Sequence, residues 1–198
     1  GETMTPLGWA IKKRDIGLIN YLIDHGADVN LNKPLYYAIS SIHQDLKGRP
    51  HPNLEIVKLL LDRGAKFDGE IEHTSLLNYA FQRGYFDIVA LLVEHGADTN
   101  FAKYDTPMVN QIVEKRLDLR LLELFLAHGA KPNEMHYNRT PLDVAARNDD
   151  LNAISLLLRY NADPNTRDKD GDTPLTIAAR NGNVEAVRLL LQNKAAPD

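Results

Sequence analysis

The segment Thr173–Ala195 reads TPLTIAARNGNVEAVRLLLQNKA and contains two short helices with their start and stop signals. Thr173 can cap the N–H groups of a helix start, and Pro174 suits the first helical position, where its missing N–H costs nothing. Residues 181–183 (Asn-Gly-Asn) predict a break before the leucine-rich second helix, because Gly and Asn tolerate the left-handed backbone that ends helices. Two helices this short are marginal alone, so the segment predicts a neighbour to pack against.

The same pattern occurs six times along the chain, always in phase. Its starts are Thr5-Pro6-Leu7, Lys33-Pro34-Leu35, Ser75-Leu76-Leu77, Thr106-Pro107-Met108, Thr140-Pro141-Leu142 and Thr173-Pro174-Leu175. Each stop contains one alanine of the series Ala27, Ala65, Ala97, Ala130, Ala162 and Ala195, which recurs with a period of about 33 residues. A T-P-L-x-x-A start followed by a G-A-D stop at this period resembles the ankyrin repeat. The resemblance implies an all-α solenoid of helix-turn-helix units joined by short β-hairpin fingers, each finger being the connection from one stop to the next start.

The spacing predicts a single ankyrin-repeat domain over 1–198 with one irregular repeat. The predicted repeats are 5–30, 31–68, 73–101, 104–134, 138–165 and 171–198, with an insertion at 40–52. The first finger is short enough to be a bare turn. In repeat two, apolar spacing predicts an inner helix continuing to about Leu46, a stiff turn, and an outer helix capped by Asn53, which places the insertion opposite the fingers as a tolerated loop extension.

Two further departures from the pattern lie in repeats four and six. Gln111 stands where the other repeats have alanine, so it must push the inner helices apart or find partners for its amide. Repeat four is also two residues longer than its neighbours. The last outer helix has no polar helix after it, and because terminal repeats normally need a polar outer face, we expect the chain to come from a longer protein.

The composition excludes several classes of function. The net charge of −4 argues against nucleic acid as the default partner, and no apolar run approaches a membrane span. The chain has no cysteine, which suits the cytoplasm or another reducing intracellular compartment, including a host cell if the protein is an effector. It contains no nucleophile elbow, P-loop or zinc-protease motif, so we predict no catalysis and no cofactor. We expect a monomer.

Two residue types recur at repeat-equivalent positions. His25, His95 and His128 each stand directly before the stop glycine. Equivalent positions in a stack of repeats lie roughly 10 Å apart, too far to share a metal, and we interpret these histidines as complementing the helix dipole. The asparagines of the stops, Asn30, Asn100, Asn133 and Asn165, are expected to bond the turn that begins the finger. The family resemblance also makes Asn30, Asn100 and Asn165 possible hydroxylation sites, since Leu22, Leu92 and Leu157 precede them by eight residues.

The resemblance implies that function is binding, through the concave groove formed by finger tips and inner helices. Apolar residues replace polar ones in the middle fingers: Ile71, Phe101, Tyr104, Met135 and Tyr137. Basic residues stand at the ends of the inner helices, among them Arg83, Lys115, Arg147 and Arg180. The aromatic residues either pack finger on finger or anchor a partner, and the basic ones either complement helix dipoles or contact it. Phe101, Tyr104 and Tyr137 are predicted to form one patch.

We therefore predict a protein-interaction module that binds another protein or peptide. The alternative is a substrate-recruiting ankyrin region of a larger multidomain enzyme or pathogen effector. A nucleic-acid-binding role would require the basic helix ends to act together and would give a steep dependence of binding on salt.

Overall fold

The computed structural model describes residues 4–40, 43–44, 50–67, 70–71, 74–100 and 106–197. It divides into two compact units, Gly1–Ala97 and Asp98–Asp198, each built from helix pairs. The helices of the first unit are α1 Pro6–Lys13, α2 Ile16–Asp24, α3 Pro34–Ser40, α4 Leu54–Asp62, α5 Leu76–Gln82 and α6 Phe86–Glu94. Those of the second unit are α7 Met108–Glu114, α8 Leu119–Ala127, α9 Pro141–Arg147, α10 Leu151–Arg159, α11 Pro174–Arg180 and α12 Val184–Gln192.

Each pair has an inner and an outer helix. Within a unit, inner helices pack on inner helices and outer helices on outer helices. The inner helices α1 and α3 are in contact, as are α7, α9 and α11 in succession. The outer helices α4 and α6 pack together, and α8, α10 and α12 do so in the second unit. The core is therefore the sum of contacts between neighbouring pairs, which confirms the predicted all-α repeat fold.

The start signals act largely as the sequence predicts. Thr5, Thr140 and Thr173 each accept a hydrogen bond at Oγ1 from the N–H three residues later, and Ser75 does the same at α5. Thr106 is the exception, because α7 begins two residues after it and Pro107 takes the cap position without a side-chain bond. Asn53 caps α4 by accepting from the N–H groups of Glu55 and Ile56.

The predicted helical extension of repeat two is wrong. The inner helix α3 ends at Ser40, and within the insertion β1 (His43–Gln44) pairs antiparallel with β2 (Pro50–His51) instead. A helix running on to Leu46 would extend past the end of its pair, where no neighbouring repeat could bury its apolar face. Short helices depend on such packing, whereas strand pairing satisfies the backbone locally.

The fingers are short, as predicted. Residues 28–33 of the first finger form turns without a strand. The finger before α5 contains β3 (Glu70–Ile71) paired with β4 (Thr74–Ser75), and the one before α9 has a bridge between His136 and Arg139.

The two extra residues of repeat four are absorbed at separate places. One delays the start of α7 relative to Thr106, and the other lengthens the link between α7 and α8 to residues 115–118, against 148–150 between α9 and α10. Gln111 is buried and has found partners: its Nε2 donates to the Thr106 carbonyl at 2.8 Å, and its Oε1 accepts from Lys115 Nζ at 3.4 Å.

Four stop asparagines, those of repeats one, three, four and five, each contact the stop of the following repeat, and we call these contacts the asparagine ladder. Each amide group donates to the carbonyl before the next stop alanine and accepts at Oδ1 from the N–H after that alanine. The four rungs are Asn30 with Gly64 and Lys66, Asn100 with Gly129 and Lys131, Asn133 with Asn161 and Asp163, and Asn165 with Lys194 and Ala196. The accepting distances are short, 2.7 Å for Asn30 and 2.9 Å for Asn100.

Candidate protein-interaction surface

The finger between α8 and α9 presents the most exposed aromatic side chain among the described residues. Backbone bonds of 2.9 and 3.0 Å pair His136 with Arg139 and leave a two-residue tip, Tyr137 and Asn138. Both tip residues have positive φ, 48° and 57°, as in the type I′ turns that Asn and Gly favour. Tyr137 is 82% exposed, so packing of finger on finger does not account for it.

The base of this finger is held by the preceding repeat. His136 Nε2 lies 2.9 Å from Thr106 Oγ1, and Asn110 on α7 donates to the Arg139 carbonyl at 3.2 Å. The His136 ring contacts the Tyr137 ring, with centroids 4.0 Å apart. Met135 is half-exposed beside them. A rigid base therefore carries an apolar tip, which we call the Tyr137 tip (Met135, His136 and Tyr137).

The next finger is polar and is organised by one buried carboxylate. Asp168 accepts at Oδ1 from the N–H groups of Asp170 and Asp172, at 2.9 and 3.0 Å, and pairs at Oδ2 with Arg147 of α9. Burial disfavours the Asp168 carboxylate, but these hydrogen bonds outweigh it and lower its pKa. Arg180 pairs with Asp172 in the same finger. Arg147 and Arg180 thus brace a finger.

The remaining predicted binding residues belong to other elements than the Tyr137 tip or lie outside the described residues. Lys115 caps the C-terminus of α7 and is exposed. Arg83 caps α5 in the first unit, with its guanidinium carbon 4.8 Å from the Tyr79 ring centroid. Ile71 contributes backbone to β3. Phe101 and Tyr104 lie outside the described residues, so their predicted patch with Tyr137 stays a prediction.

The recurring histidines have the structural role that their position indicated. The Nδ1 atoms of His25, His95 and His128 lie 2.7, 2.8 and 2.8 Å from the carbonyl four residues earlier. Each ring therefore adds a second donor to a carbonyl in the last turn of its helix, which already accepts from the backbone N–H of the same histidine. Across the part of the chain that the structure describes, no group of three or more His, Asp or Glu side chains could hold a metal ion.

Sequence reasoning missed two contributors. His136 supports Tyr137 and binds Thr106, yet nothing in its sequence position distinguishes it from a finger residue. The stop asparagines were expected to bond their own turn; their fixed place after the stop alanine could have indicated a contact between repeats. Hydroxylation of Asn30, Asn100 and Asn165 stays a prediction.

The comparisons with known proteins agree with this architecture. A family model described as ankyrin repeats (3 copies) matches residues 1–68 and 109–198. The chain belongs to the ankyrin repeat family. A crystal structure of an ankyrin repeat domain from Acinetobacter baumannii AYE resembles it with a TM-score of 0.65 and 25% identity, covering 96% of this chain and 98% of that one.

Relatives by sequence include two ankyrin repeat proteins of Fowlpox virus (strain NVSL). One is 33% identical over 107 residues, which are 51% of this chain and 31% of the relative. The other is 28% identical over 144 residues, 72% of this chain and 32% of the relative. The chain thus spans about a third of the length of these relatives. Ankyrin repeats are in general protein-interaction modules. The described residues include no helix long and apolar enough to cross a membrane.

Proposed function

We propose that this chain is a protein-binding module that recognises a partner protein or peptide through its finger tips and groove, without catalysis of its own. The observation that carries the proposal is Tyr137, which is 82% exposed at a backbone conformation that disfavours tyrosine. Strain of this kind costs on the order of 1 kcal/mol and concentrates at functional positions. A tyrosine retained there supports a role for its ring outside the fold.

The surface suits a partner that can accept an apolar anchor of this chain beside polar groups. Buried aromatic residues dominate binding energy at interfaces, while charges at the rim mainly affect association rate. The Tyr137 tip supplies the aromatic anchor, and the exposed Lys115 supplies a charge. The recruiting region of a larger enzyme or effector stays the alternative, since the chain spans about a third of its fowlpox relatives.

The experiment exploits the strain at Tyr137. We expect Tyr137→Asn to raise the free energy of unfolding by about 0.5–1 kcal/mol, because Asn accepts a left-handed turn position. The same change should weaken partner binding by about 2 kcal/mol or more, as loss of a central aromatic anchor does. Partners captured by the wild-type chain supply the ligand, and calorimetric titration measures the affinity.

Tyr21→Ala is the matched control, because Tyr21 is 61% exposed on α2 and stacks on His25 in a comparable way. It should leave the affinity unchanged. If Tyr137→Asn destabilises the fold and binds normally, the tyrosine is structural. If deletion of the hairpin at 43–51 abolishes binding while Tyr137→Asn does not, the binding surface lies elsewhere.

A further inference from the structure

Arg139, at the base of the finger that carries the Tyr137 tip, has a partly buried guanidinium group without a partner. Its Nε atom is closed off from solvent and has no hydrogen bond, and the described residues contain no ion pair or side-chain hydrogen bond of Arg139. Burying part of a cation costs free energy unless an opposite charge or hydrogen bonds compensate for it. The described part of the chain does not supply that compensation.

The other arginines of the second unit either have a partner or are open to solvent. Those that bond a carboxylate or a carbonyl oxygen are Arg116, Arg120, Arg147, Arg159, Arg167 and Arg180. Arg188 on α12 is exposed. Among the described arginines of this unit, Arg139 is therefore the one that is both partly buried and unpaired.

Repeat six shows which group pairs with an arginine at this place. The inner helices α9 and α11 have the same length and the same Thr-Pro start. Arg139 directly precedes the capping threonine of α9, as Asp172 does that of α11, and the two helices end on arginine. Asp172 forms an ion pair with Arg180 at the end of α11, but in repeat five both of these places hold arginine. Repeat five thus lacks the carboxylate that repeat six has between finger and helix end.

Neither the finger itself nor Arg147 compensates for the missing carboxylate. Glu134 is the only acidic residue of the finger at 131–139, and it forms no ion pair with the described residues. Arg147, at the end of α9, pairs through one terminal nitrogen with Asp168 of the next finger, and its own Nε is also buried without a partner. Arg139 therefore remains an unpaired cation beside a second arginine position.

The finger places this cation close to the proposed aromatic anchor. His136 and Arg139 lie directly opposite each other in the bridge, so their side chains lie on the same face of the finger. The His136 ring in turn contacts the Tyr137 ring, with centroids 4.0 Å apart. A single bound segment is therefore able to contact the cation and the aromatic ring together.

We propose that Arg139 binds an acidic side chain of the partner, and that the partner segment carries glutamate or aspartate next to an apolar residue. The terminal guanidinium nitrogens donate to the carboxylate, as Arg180 donates to Asp172 in repeat six, and the apolar residue packs on Tyr137. The buried Nε edge of Arg139 has already lost its water, so less hydration has to be removed when the carboxylate binds. This inference rests on the protein-binding function proposed above and specifies its partner.

Selection from a displayed library of random peptides tests the charge preference. On the wild-type chain we expect enrichment of glutamate or aspartate at one place beside an apolar residue. Arg139→Glu should change this preference to lysine or arginine, because two carboxylates repel each other. The matched control Arg188→Glu changes the net charge equally, on the outer helix α12, and should select as the wild type does.

Calorimetric titration of one selected peptide measures the contact itself. Replacing its acidic residue by the corresponding amide should weaken binding to the wild type at least about tenfold, as loss of a charge-assisted hydrogen bond does. The same replacement should change binding to Arg139→Gln less than about twofold, because the two changes remove one shared contact. Arg139→Lys keeps the charge and should retain the preference for the acid, and circular dichroism checks that each variant keeps its helix content.

The outcomes separate this inference from the proposed function. Peptides that lose affinity for Tyr137→Asn but bind the wild type equally well as acid and as amide would overturn this inference alone. Peptides that bind Tyr137→Asn as they bind the wild type, or a library from which no peptide is enriched, would overturn the proposed function and this inference with it.

Discussion

The Asp143 carboxyl group is fully buried at the start of α9 and closes a capping box there. Its Oδ2 accepts from both the N–H and the hydroxyl of Thr140 at 2.8 Å, while the Asp143 N–H donates to Thr140 Oγ1. Burial raises the pKa of Asp143, because these hydrogen bonds only partly offset the loss of hydration and Asp168 adds repulsion. Asp143 therefore stabilises the start of α9 through its hydrogen bonds, but its ionised form is unfavourable in this buried place.

We expect Asp143→Asn to remove a pH dependence of stability. A carboxyl whose pKa is raised by folding stabilises most below its unfolded pKa of about 3.9, and this contribution is lost as pH rises through the folded pKa. The amide oxygen of Asn can still accept from Thr140. In urea unfolding between about pH 3 and pH 7, the free energy of unfolding of the variant should increase relative to that of the wild type as pH rises.

Asp168 does not account for the expected difference between Asp143→Asn and the wild type. Its pKa is lowered, so its contribution is present at neutral pH and is lost as pH falls through the folded pKa, which is the opposite dependence on pH. The matched variant Asp143→Ala should be less stable at every pH by about 1–3 kcal/mol, because the buried Thr140 N–H loses its acceptor. A pH slope unchanged by Asp143→Asn would contradict the assignment.

Asn133 tests the asparagine ladder at single-residue resolution. It donates to the Asn161 carbonyl at 3.3 Å and accepts from the Asp163 N–H at 2.8 Å. We expect Asn133→Ala to lower the free energy of unfolding by about 1–2 kcal/mol, since two hydrogen bonds are lost. The control Asn152→Ala, at an exposed site of α10, should have little effect. Equal stability of Asn133→Ala and Asn152→Ala would show that the rung contributes nothing.

At the scale of the helices, the sequence correctly predicted those helix starts that depend only on neighbouring residues. Thr140-Pro141 and Thr173-Pro174 start α9 and α11 as predicted, because capping involves only neighbouring residues. The predicted extension of α3 to Leu46 is wrong because apolar spacing identifies one face of a helix but does not show whether a neighbouring element packs against that face. The sequence also did not indicate the late start of α7, because Thr106 bonds His136, 30 residues away, instead of capping that helix.

Gln111 on α7 gives a test in which the repeat pattern and the structure disagree. Counted from Thr106, the repeat pattern places alanine at Gln111, and changes toward a consensus residue commonly stabilise proteins. Because α7 starts one residue late, however, Ile112 takes the fifth helical place that Ala145 has in α9. In this fold Gln111 is buried and satisfies the Thr106 carbonyl at 2.8 Å. We therefore expect Gln111→Ala to destabilise by about 1–3 kcal/mol through an unsatisfied carbonyl and a small void.

Denaturant unfolding of Gln111→Ala measures this effect. Gln82→Ala, in the last turn of α5, is a suitable control for removing a glutamine side chain from an inner helix. A Gln111→Ala variant more stable than the wild type would mean that repeat four tolerates the regular pattern without change.

For the whole molecule, the repeat period predicts the fold but does not determine which finger residues are exposed. Six in-phase copies identify the pairs and their stops, because each copy repeats the same local chemistry. The surface depends on which finger residues the stack leaves exposed. Tyr137 lies free at a tip, whereas Arg147 lies against Asp168 in the next finger, a contact between repeats that the sequence alone did not reveal.

Stability should also vary along each unit, because the outer helices are of equal length but unequal burial. In the first unit α2 buries one residue, against four in α4 and four in α6. In the second, α12 buries two, against four in α8 and five in α10. Each buried aliphatic side chain contributes about 1.5–3 kcal/mol, so several kcal/mol separate the least and most covered helices.

Repeat arrays open where neighbour contacts are fewest, so we expect α2 and α12 to exchange amide hydrogens faster than the other outer helices of their own units. About 1.4 kcal/mol is a factor of ten in the opening equilibrium, and the burial difference therefore implies at least about a hundredfold in exchange rate. Hydrogen-exchange mass spectrometry on peptides covering α2, α4 and α6, and α8, α10 and α12, measures it directly. Uniform protection within a unit would mean that its pairs unfold together, so that contacts between neighbouring repeats outweigh the coverage of any single helix.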